Sequence, residues 1–221
     1  MLANNIANAS TGGYKADREF YSIFVSPEAE GPAPVMPLVE RPWVDLSQGT
    51  LQPTGSPLDL ALSGRGFFAV DGPGETLYTR NGSFHLSPSG NLVTAEGYAV
   101  RGEGGGGLTL DPARSMDVLP DGTVEQAGAL AGKVSVVEFG DAGALVKRAG
   151  NYFRAGSAAG AGPAQETVVK QGHLEASNTS PAEGAVRLVS VMRQFEMLQK
   201  AAGLAGDMGR QAVEVVARVG S

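Results

Sequence analysis

At 221 residues, 42% of them hydrophobic, the chain has enough apolar material for one or two buried cores. A formal charge of −6 and a pI near 5.0 provide no basic footprint for nucleic acid or an anionic membrane surface. The absence of cysteine removes disulfide staples and thiolate metal sites and leaves the compartment open.

Met1 to Ala9 reads as the last turns of a helix, with Leu2, Ile6 and Ala9 on one face and Gly12-Gly13 ending it. Asn4, Asn5 and Asn8 are poor helix formers and are expected to hydrogen-bond another chain. No basic stretch followed by an apolar run opens the chain, so no cleaved secretory signal is expected. Residues 1–13 are therefore assigned to an N-terminal helix end with a role in assembly. Residues 14–45 read as an extended linker, because Pro27, Pro32, Pro34, Pro37 and Pro42 fall between Ser26 and Trp43. Trp43 is expected to pack where linker meets domain.

Residues 46–176 carry the signals of an antiparallel β domain, dense in the 32 glycines and 13 prolines of the chain. Leu58, Leu60 and Leu62 alternate with Asp59 and Ala61, which predicts a strand with one buried face. Phe67 to Val70 forms the next strand. Asn81-Gly82 between Thr76–Arg80 and Ser83–Leu86 is the strongest hairpin signal. Ser87-Pro88-Ser89-Gly90 and Glu96-Gly97 predict further turns, and Pro120-Asp121-Gly122 predicts a hairpin from Met116–Leu119 to Thr123–Glu125. Lys133 to Phe139 reads as one Val-rich strand and Gly156 to Ala164 as small-residue linker. Thr167–Lys170 and His173–Ala176 are the last expected strands.

Ser180-Pro181-Ala182-Glu183 opens a helix: a hydroxyl cap, Pro at the first helical position, and Glu reaching back to the cap. Within residues 177–221, Leu188, Val191, Phe195, Leu198, Ala202, Ala205, Gly209, Ala212, Val216 and Val219 follow steps of three and four without a break. That is a heptad seam, period 3.5, which winds helices around one another. Helical to its end, the segment is ~58 Å long at ~1.5 Å per residue and needs helical neighbours. Arg187, Arg193, Glu196 and Lys200 exclude a membrane span. The fold class predicted is α+β: a central, mostly β antiparallel domain with helical termini and a long C-terminal helix of coiled-coil type.

No catalytic constellation emerges. His85 and His173 lack metal-ligand spacing with another ligand. The Gly-rich run after Arg101 matches G-x-G-x-x-G only trivially, since strand and turn residues follow it and no phosphate-binding helix does. No Gly-x-Ser-x-Gly elbow is present. Neither a cofactor nor a small-molecule substrate is expected. A rival reading, a ligand- or glycan-binding β domain displayed on a coiled-coil stalk, would need an aromatic-lined cleft, and aromatic residues make up only 6% of the chain.

Several segments resemble the bacterial flagellar rod and hook axial proteins. Leu2-Ala3-Asn4-Asn5-Ile6-Ala7-Asn8 with Gly12-Gly13-Tyr14-Lys15-Ala16 is similar to that family's N-terminal signature. Gln48 to Leu62, Gly66-Phe67-Phe68 and Tyr78-Thr79-Arg80-Asn81-Gly82-Ser83-Phe84 resemble its internal motifs. Gln171 to Asn178 resembles the segment leading into its C-terminal helix, and Val191 to Lys200 looks most like the proximal-rod branch, with the distal-rod branch next. The resemblance implies a non-enzymatic axial subunit whose terminal helices pack into an inner tube and whose β domain forms an outer layer. Its partners would be other copies of itself, other rod proteins and the flagellar type III export apparatus. Its place would be the rod in the periplasm, reached without a cleaved signal. Leu2, Asn5, Ile6, Leu188, Val191, Phe195, Leu198, Ala202, Ala205, Gly209, Ala212 and Val216 are the expected subunit contacts. Family members carry a further helical stretch ahead of the Leu-Ala-Asn-Asn signature. Its absence here reads as a misplaced start more readily than as a deletion.

Overall fold

The structure, a computed structural model, describes residues 1–18, 21–25, 35–39, 43–148 and 150–219, with backbone alone at 21–25, 35–39 and 211–219. A short helix α1 (Leu2–Ala7) and a long helix α2 (Pro181–Val219) bracket an antiparallel β body. The largest sheet runs, neighbour to neighbour, Leu145–Lys147, Tyr152–Ala155, Thr76–Thr79, Phe67–Asp71, Ala99–Val100, Leu92–Val93 and His85–Leu86. Val136–Phe139 also pairs with Phe67–Asp71 and carries Ala161–Pro163 on its other side. Met116–Val118, Thr123–Gln126 and Ala129–Lys133 form a three-stranded meander, and Val168–Gln171 pairs with Leu60–Ser63.

Strand alternation places the two cores. Phe68 and Val70 point into the main core with Leu60, Leu62, Leu92, Val100 and Val124, while Phe67 points the other way, onto Phe153 and Leu145. Phe67 meets Phe153 edge to face at 5.6 Å and Phe139 at 5.7 Å. Each such side chain, fully buried, contributes about 1.5–3 kcal/mol. The antiparallel body with a long C-terminal helix is the α+β architecture read from the sequence.

The turns at Gly90, Gly97 and Gly122 form as expected, each glycine at positive φ and each followed by a paired strand. The Asn81-Gly82 hairpin does not form. Thr76–Thr79 is already paired on both sides, by Phe67–Asp71 and Tyr152–Ala155, so no edge is free for a returning strand. Neither Asn81 nor Gly82 takes the positive φ of a type I′ turn. Gly82 instead lies against the strand Leu60–Ser63, its carbonyl accepting from the Leu60 N–H at 3.0 Å. A Cβ there would stand 1.7 Å from the Leu60 carbonyl oxygen, so no other residue fits.

Other expectations are corrected. Leu60, Ala61 and Leu62 are all buried, because the strand is covered on both faces. The Val-rich stretch is divided between two sheets, ending one strand at Lys133 and starting another at Val136. The small-residue stretch 156–164 buries Ala159 and contributes the edge strand Ala161–Pro163, where Pro163 needs no ladder donor. In the stretch read as linker, Tyr14, Lys15 and Ala16 are buried. Asp17–Arg18 pairs with Trp43–Val44, and Tyr21–Val25 pairs with Val35–Val39, Pro37 standing opposite Ile23. Pro27, Pro32, Pro34 and Pro42 lie outside the described residues. Trp43 is half exposed, not packed.

Helix α2 starts at Pro181, with the Ser180 carbonyl accepting from the Gly184 N–H at 3.0 Å. The Ser180 hydroxyl is 3.5 Å from the Glu183 N–H, at the outer limit of a cap bond. Gly184 is buried beneath Ile6 of α1. Beyond it, every residue from Ala185 to Arg210 is exposed.

Candidate functional site

The segments at the foot of α2 come from four distant parts of the chain and meet around one buried carboxylate. Glu175 ends the strand His173–Glu175, which pairs with Leu51–Pro53. Its Oε1 accepts from Lys15 Nζ at 2.5 Å and from the Gly49 N–H at 2.8 Å. Its Oε2 accepts from Arg80 Nη1 at 3.3 Å. All three side chains are buried. Lys15 Nζ also donates to the Ser47 carbonyl at 2.6 Å, and Arg80 Nη2 donates to the Gly64 carbonyl at 2.6 Å. The Arg80 guanidinium lies 4.9 Å over the Phe67 ring, which ties the cluster to the second core. Burial pulls the Lys15 ammonium below the ordinary lysine value, and the Glu175 carboxylate opposes that pull.

Backbone contacts complete the junction. The Gly13 N–H donates to the Glu175 carbonyl at 2.7 Å. Gly13 sits at φ +67°, and a Cβ would come within 2.4 Å of the Asn81 nitrogen, so only glycine lets these two segments touch. Asn178 accepts from the Ala16 N–H at 2.8 Å and donates to the Asp45 carbonyl at 2.7 Å. Asn151 donates to the Gly12 carbonyl, and Lys147 donates to the Lys15 carbonyl and to Asp17. The Lys147 ammonium stands 4.0 Å over the Tyr14 ring.

Helix α1 is held to this base by its asparagines. Asn5 Oδ1 accepts from the Asp17 N–H and the Tyr14 hydroxyl, and its Nδ2 donates to the Asp17 carbonyl. Asn4 donates to the Tyr14 hydroxyl and to Asp17, and Asn8 donates back to the Asn4 carbonyl. Within the single chain these amides bond their own backbone and side chains. Leu2 and Asn5 line an open groove of about 480 Å³ with Thr179, Ala182 and Val186 at the foot of α2, and Ile6 packs on Gly184.

Tyr14 has a titration signature. Burial, and after it the Asp17 carboxylate, pushes its hydroxyl up to about 12. An unfolded tyrosine ionises near pH 10. The folded state therefore holds this proton more tightly, a stabilisation complete below pH 10 and lost as the pH rises through 12. Ultraviolet titration at high pH should show two late-ionising tyrosines, Tyr14 and the buried Tyr152, of which Tyr14→Phe removes one. A Tyr14 that ionises near pH 10 would mean that its burial beside the Asp17 carboxylate does not hold in solution.

Above the base, Leu188 is 41% exposed, Val191 49%, Phe195 61% and Leu198 68%. Ala202, Ala205 and Gly209 are exposed too; Ala212 and Val216 lie on α2 where only backbone is described. Among the described residues, no group of three His, Asp or Glu is placed to hold a metal. Among the described residues, no helix is long and apolar enough to cross a membrane.

The Lys15–Glu175–Arg80 cluster escaped sequence reasoning, although all three residues fall inside motifs singled out there. The available signal was Glu175 itself, a charge set between Leu174 and Ala176 in a strand.

Residues 61–126 match the family model described as "Flagellar hook protein FlgE/F/G D1 domain", and residues 170–215 match "Flagellar basal body rod FlgEFG protein C-terminal". The chain is 33% identical over 224 residues to the flagellar basal-body rod protein FlgF of Caulobacter vibrioides, an alignment covering 99% of this chain and 91% of that protein. It is 31% identical to FlgF of Mesorhizobium japonicum, over 88% of this chain and 81% of that one. It is 30% identical to the flagellar basal-body rod protein FlgG of Bacillus subtilis, over 90% and 86% respectively.

Proposed function

The chain belongs to the flagellar basal-body rod protein family, and from that premise we propose that it is a non-enzymatic rod subunit that assembles through its terminal helices. The observation carrying this reading is α2. It presents large apolar side chains, and every residue from Ala185 to Arg210 is exposed. Each that becomes fully buried contributes about 1.5–3 kcal/mol, so a helix of this kind gains most of its stability on meeting neighbours. Leu188, Val191, Phe195 and Leu198 are the bulky contacts of the seam. Ala202, Ala205 and Gly209 continue it with small residues that let backbones approach closely, and Ala212 and Val216 extend it. Leu2, Asn5 and Ile6, beside the foot of α2, are the contacts from the N-terminal helix.

Neighbours are further copies of the chain and other rod proteins. The assembled helices form the axial tube that transmits torque and conducts exported subunits, with the β domain outside. The chain reaches the periplasmic rod through the flagellar type III export apparatus without a cleaved signal. The likeness of Val191–Lys200 supports the proximal-rod branch. The glycan-binding alternative needs an aromatic-lined cleft, whereas Phe67, Phe68, Phe84 and Phe153 are buried in the cores and the half-exposed Trp43 lines its groove with no second aromatic among the described residues.

The test uses a strain lacking the chain. A tagged copy should restore motility and copurify with basal bodies. Restored motility with the tagged chain absent from purified basal bodies would refute a rod role.

A further inference from the structure

Half of the sulfur atoms of the chain stand bare on α2. The sequence has six methionines and no cysteine, so thioethers are its only oxidisable sulfur. Met192, Met197 and Met208 on α2 are 56%, 63% and 63% exposed, whereas Met116 is 5% exposed in the main core. Their places relative to the seam differ. On a helix surface, residues three and four apart are neighbours. Met192 stands four after Leu188 and three before Phe195, and Met208 stands three after Ala205 and four before Ala212. Both therefore border the seam. The positions three and four from Met197 hold Arg193, Gln194, Lys200 and Ala201, none of them a seam residue.

We infer that Met192 and Met208 make assembly sensitive to oxidation: hydrogen peroxide that reaches either thioether before assembly keeps that copy out of the rod. The sulfur lone pair attacks one peroxide oxygen and the O–O bond breaks. The proton on the transferred oxygen goes to the departing hydroxide, which leaves as water. The sulfur is oxidised to the sulfoxide, the peroxide is reduced, and no further reactant is needed. A pliable apolar side chain thereby becomes polar and chiral. In the free chain that change meets only water. Beside the seam it brings an unpaired acceptor into a dry interface, where burying a polar group is costly. Met197 has Arg193 and Lys200 for neighbours, so its sulfoxide stays solvated. Met116 is shielded by the core around it. Enzymatic reduction of the sulfoxide restores the thioether, so the exclusion is reversible.

The inference rests on the rod reading, and the test separates the two. In the strain lacking the chain, the full-length protein is induced with and without hydrogen peroxide. It is then recovered from basal bodies and from the unassembled pool. Its absence from basal bodies without peroxide would refute the rod reading and this inference together. Peptide mass spectrometry locates the sulfoxides. After peroxide, sulfoxide at Met192 and Met208 should be scarcer in basal bodies than in the unassembled pool by on the order of tenfold or more, with sulfoxide at Met197 equal in both. Equal sulfoxide at Met192 and Met208 in the two pools, or the same depletion at Met197, would overturn the inference and leave the rod role intact. The double variant Met192→Leu, Met208→Leu should keep incorporating under a peroxide dose that lowers incorporation of the unaltered chain. An equal fall in both would trace the loss to general damage and overturn the inference. As a second measurement, Met192→Gln, which imitates the polarity of the sulfoxide, should lower incorporation without peroxide while the unfolding midpoint of the purified chain is unchanged. Undiminished incorporation, or a lowered midpoint, would likewise overturn it.

Discussion

Replacing Glu175 by Gln should cost about 3–5 kcal/mol of stability and lower the unfolding midpoint by on the order of 10 °C. Among the described residues the carboxylate is the only anion in direct contact with these two buried cations, Lys15 at 2.5 Å and Arg80 at 3.3 Å. Glutamine keeps the shape and can still accept from the Gly49 N–H, but it leaves both cations desolvated without a counter-charge. Lys15→Met should cost less, because Glu175 and Arg80 then remain as a one-to-one pair and the Gly49 N–H still bonds Oε1. The order matters more than the sizes. If Lys15→Met proved the more damaging change, packing of the lysine stem, and not the carboxylate, would hold the junction. Thermal or urea unfolding of the three proteins decides it.

Leu198→Asp should abolish incorporation into basal bodies while leaving the purified chain as stable as before. Leu198 is 68% exposed and Phe195 61%, so within the isolated chain an aspartate at 198 meets only water. In an assembled bundle it would place an unpaired carboxylate in a dry interface, at a cost of several kcal/mol per copy. That penalty recurs at every subunit. The check is paired: the unfolding midpoint of the purified protein, and motility with basal-body content in cells. A lowered midpoint would make α2 part of the chain's own core. Normal rods with the mutant would move the assembly surface elsewhere.

What the sequence disclosed was whatever local chemistry decides. Ser180-Pro181 marks the start of α2 because a cap and a first-turn proline act within a few residues. Gly90, Gly97 and Gly122 turn where they stand because each needs positive φ. The apolar periodicity of α2 was legible because nothing in its own chain interrupts it. Tertiary competition hid the rest. Asn81-Gly82 carries the hairpin signature, yet the adjoining strand has no free edge. Lys15 and Glu175 are 160 residues apart, and no pattern links a lysine near one end to a glutamate near the other. The bonds Asn5 makes within its own chain were hidden too, because strand pairing of Asp17–Arg18 brings an N–H and a carbonyl within its reach. Steps of three and four from Leu188 trace a single seam, so Met192 and Met208 beside it went uncounted.

The two parts of the molecule have opposite demands. The base joins segments from both ends of the chain by buried ion pairs and close backbone approaches, which fixes the direction in which α2 leaves. The helix above it has no tertiary partner among the described residues, and helices gain most of their stability from packing. Amide hydrogen exchange of residues 188–210, compared between purified chain and assembled basal bodies, tests this division most directly. The result predicted is exchange in the purified chain little slower than in an unfolded peptide, with Glu175 and the strands around it protected, and strong protection of the same helix once assembled. Equal protection of residues 188–210 in both states would contradict it, because the helix would then be held by its own chain and not by its neighbours.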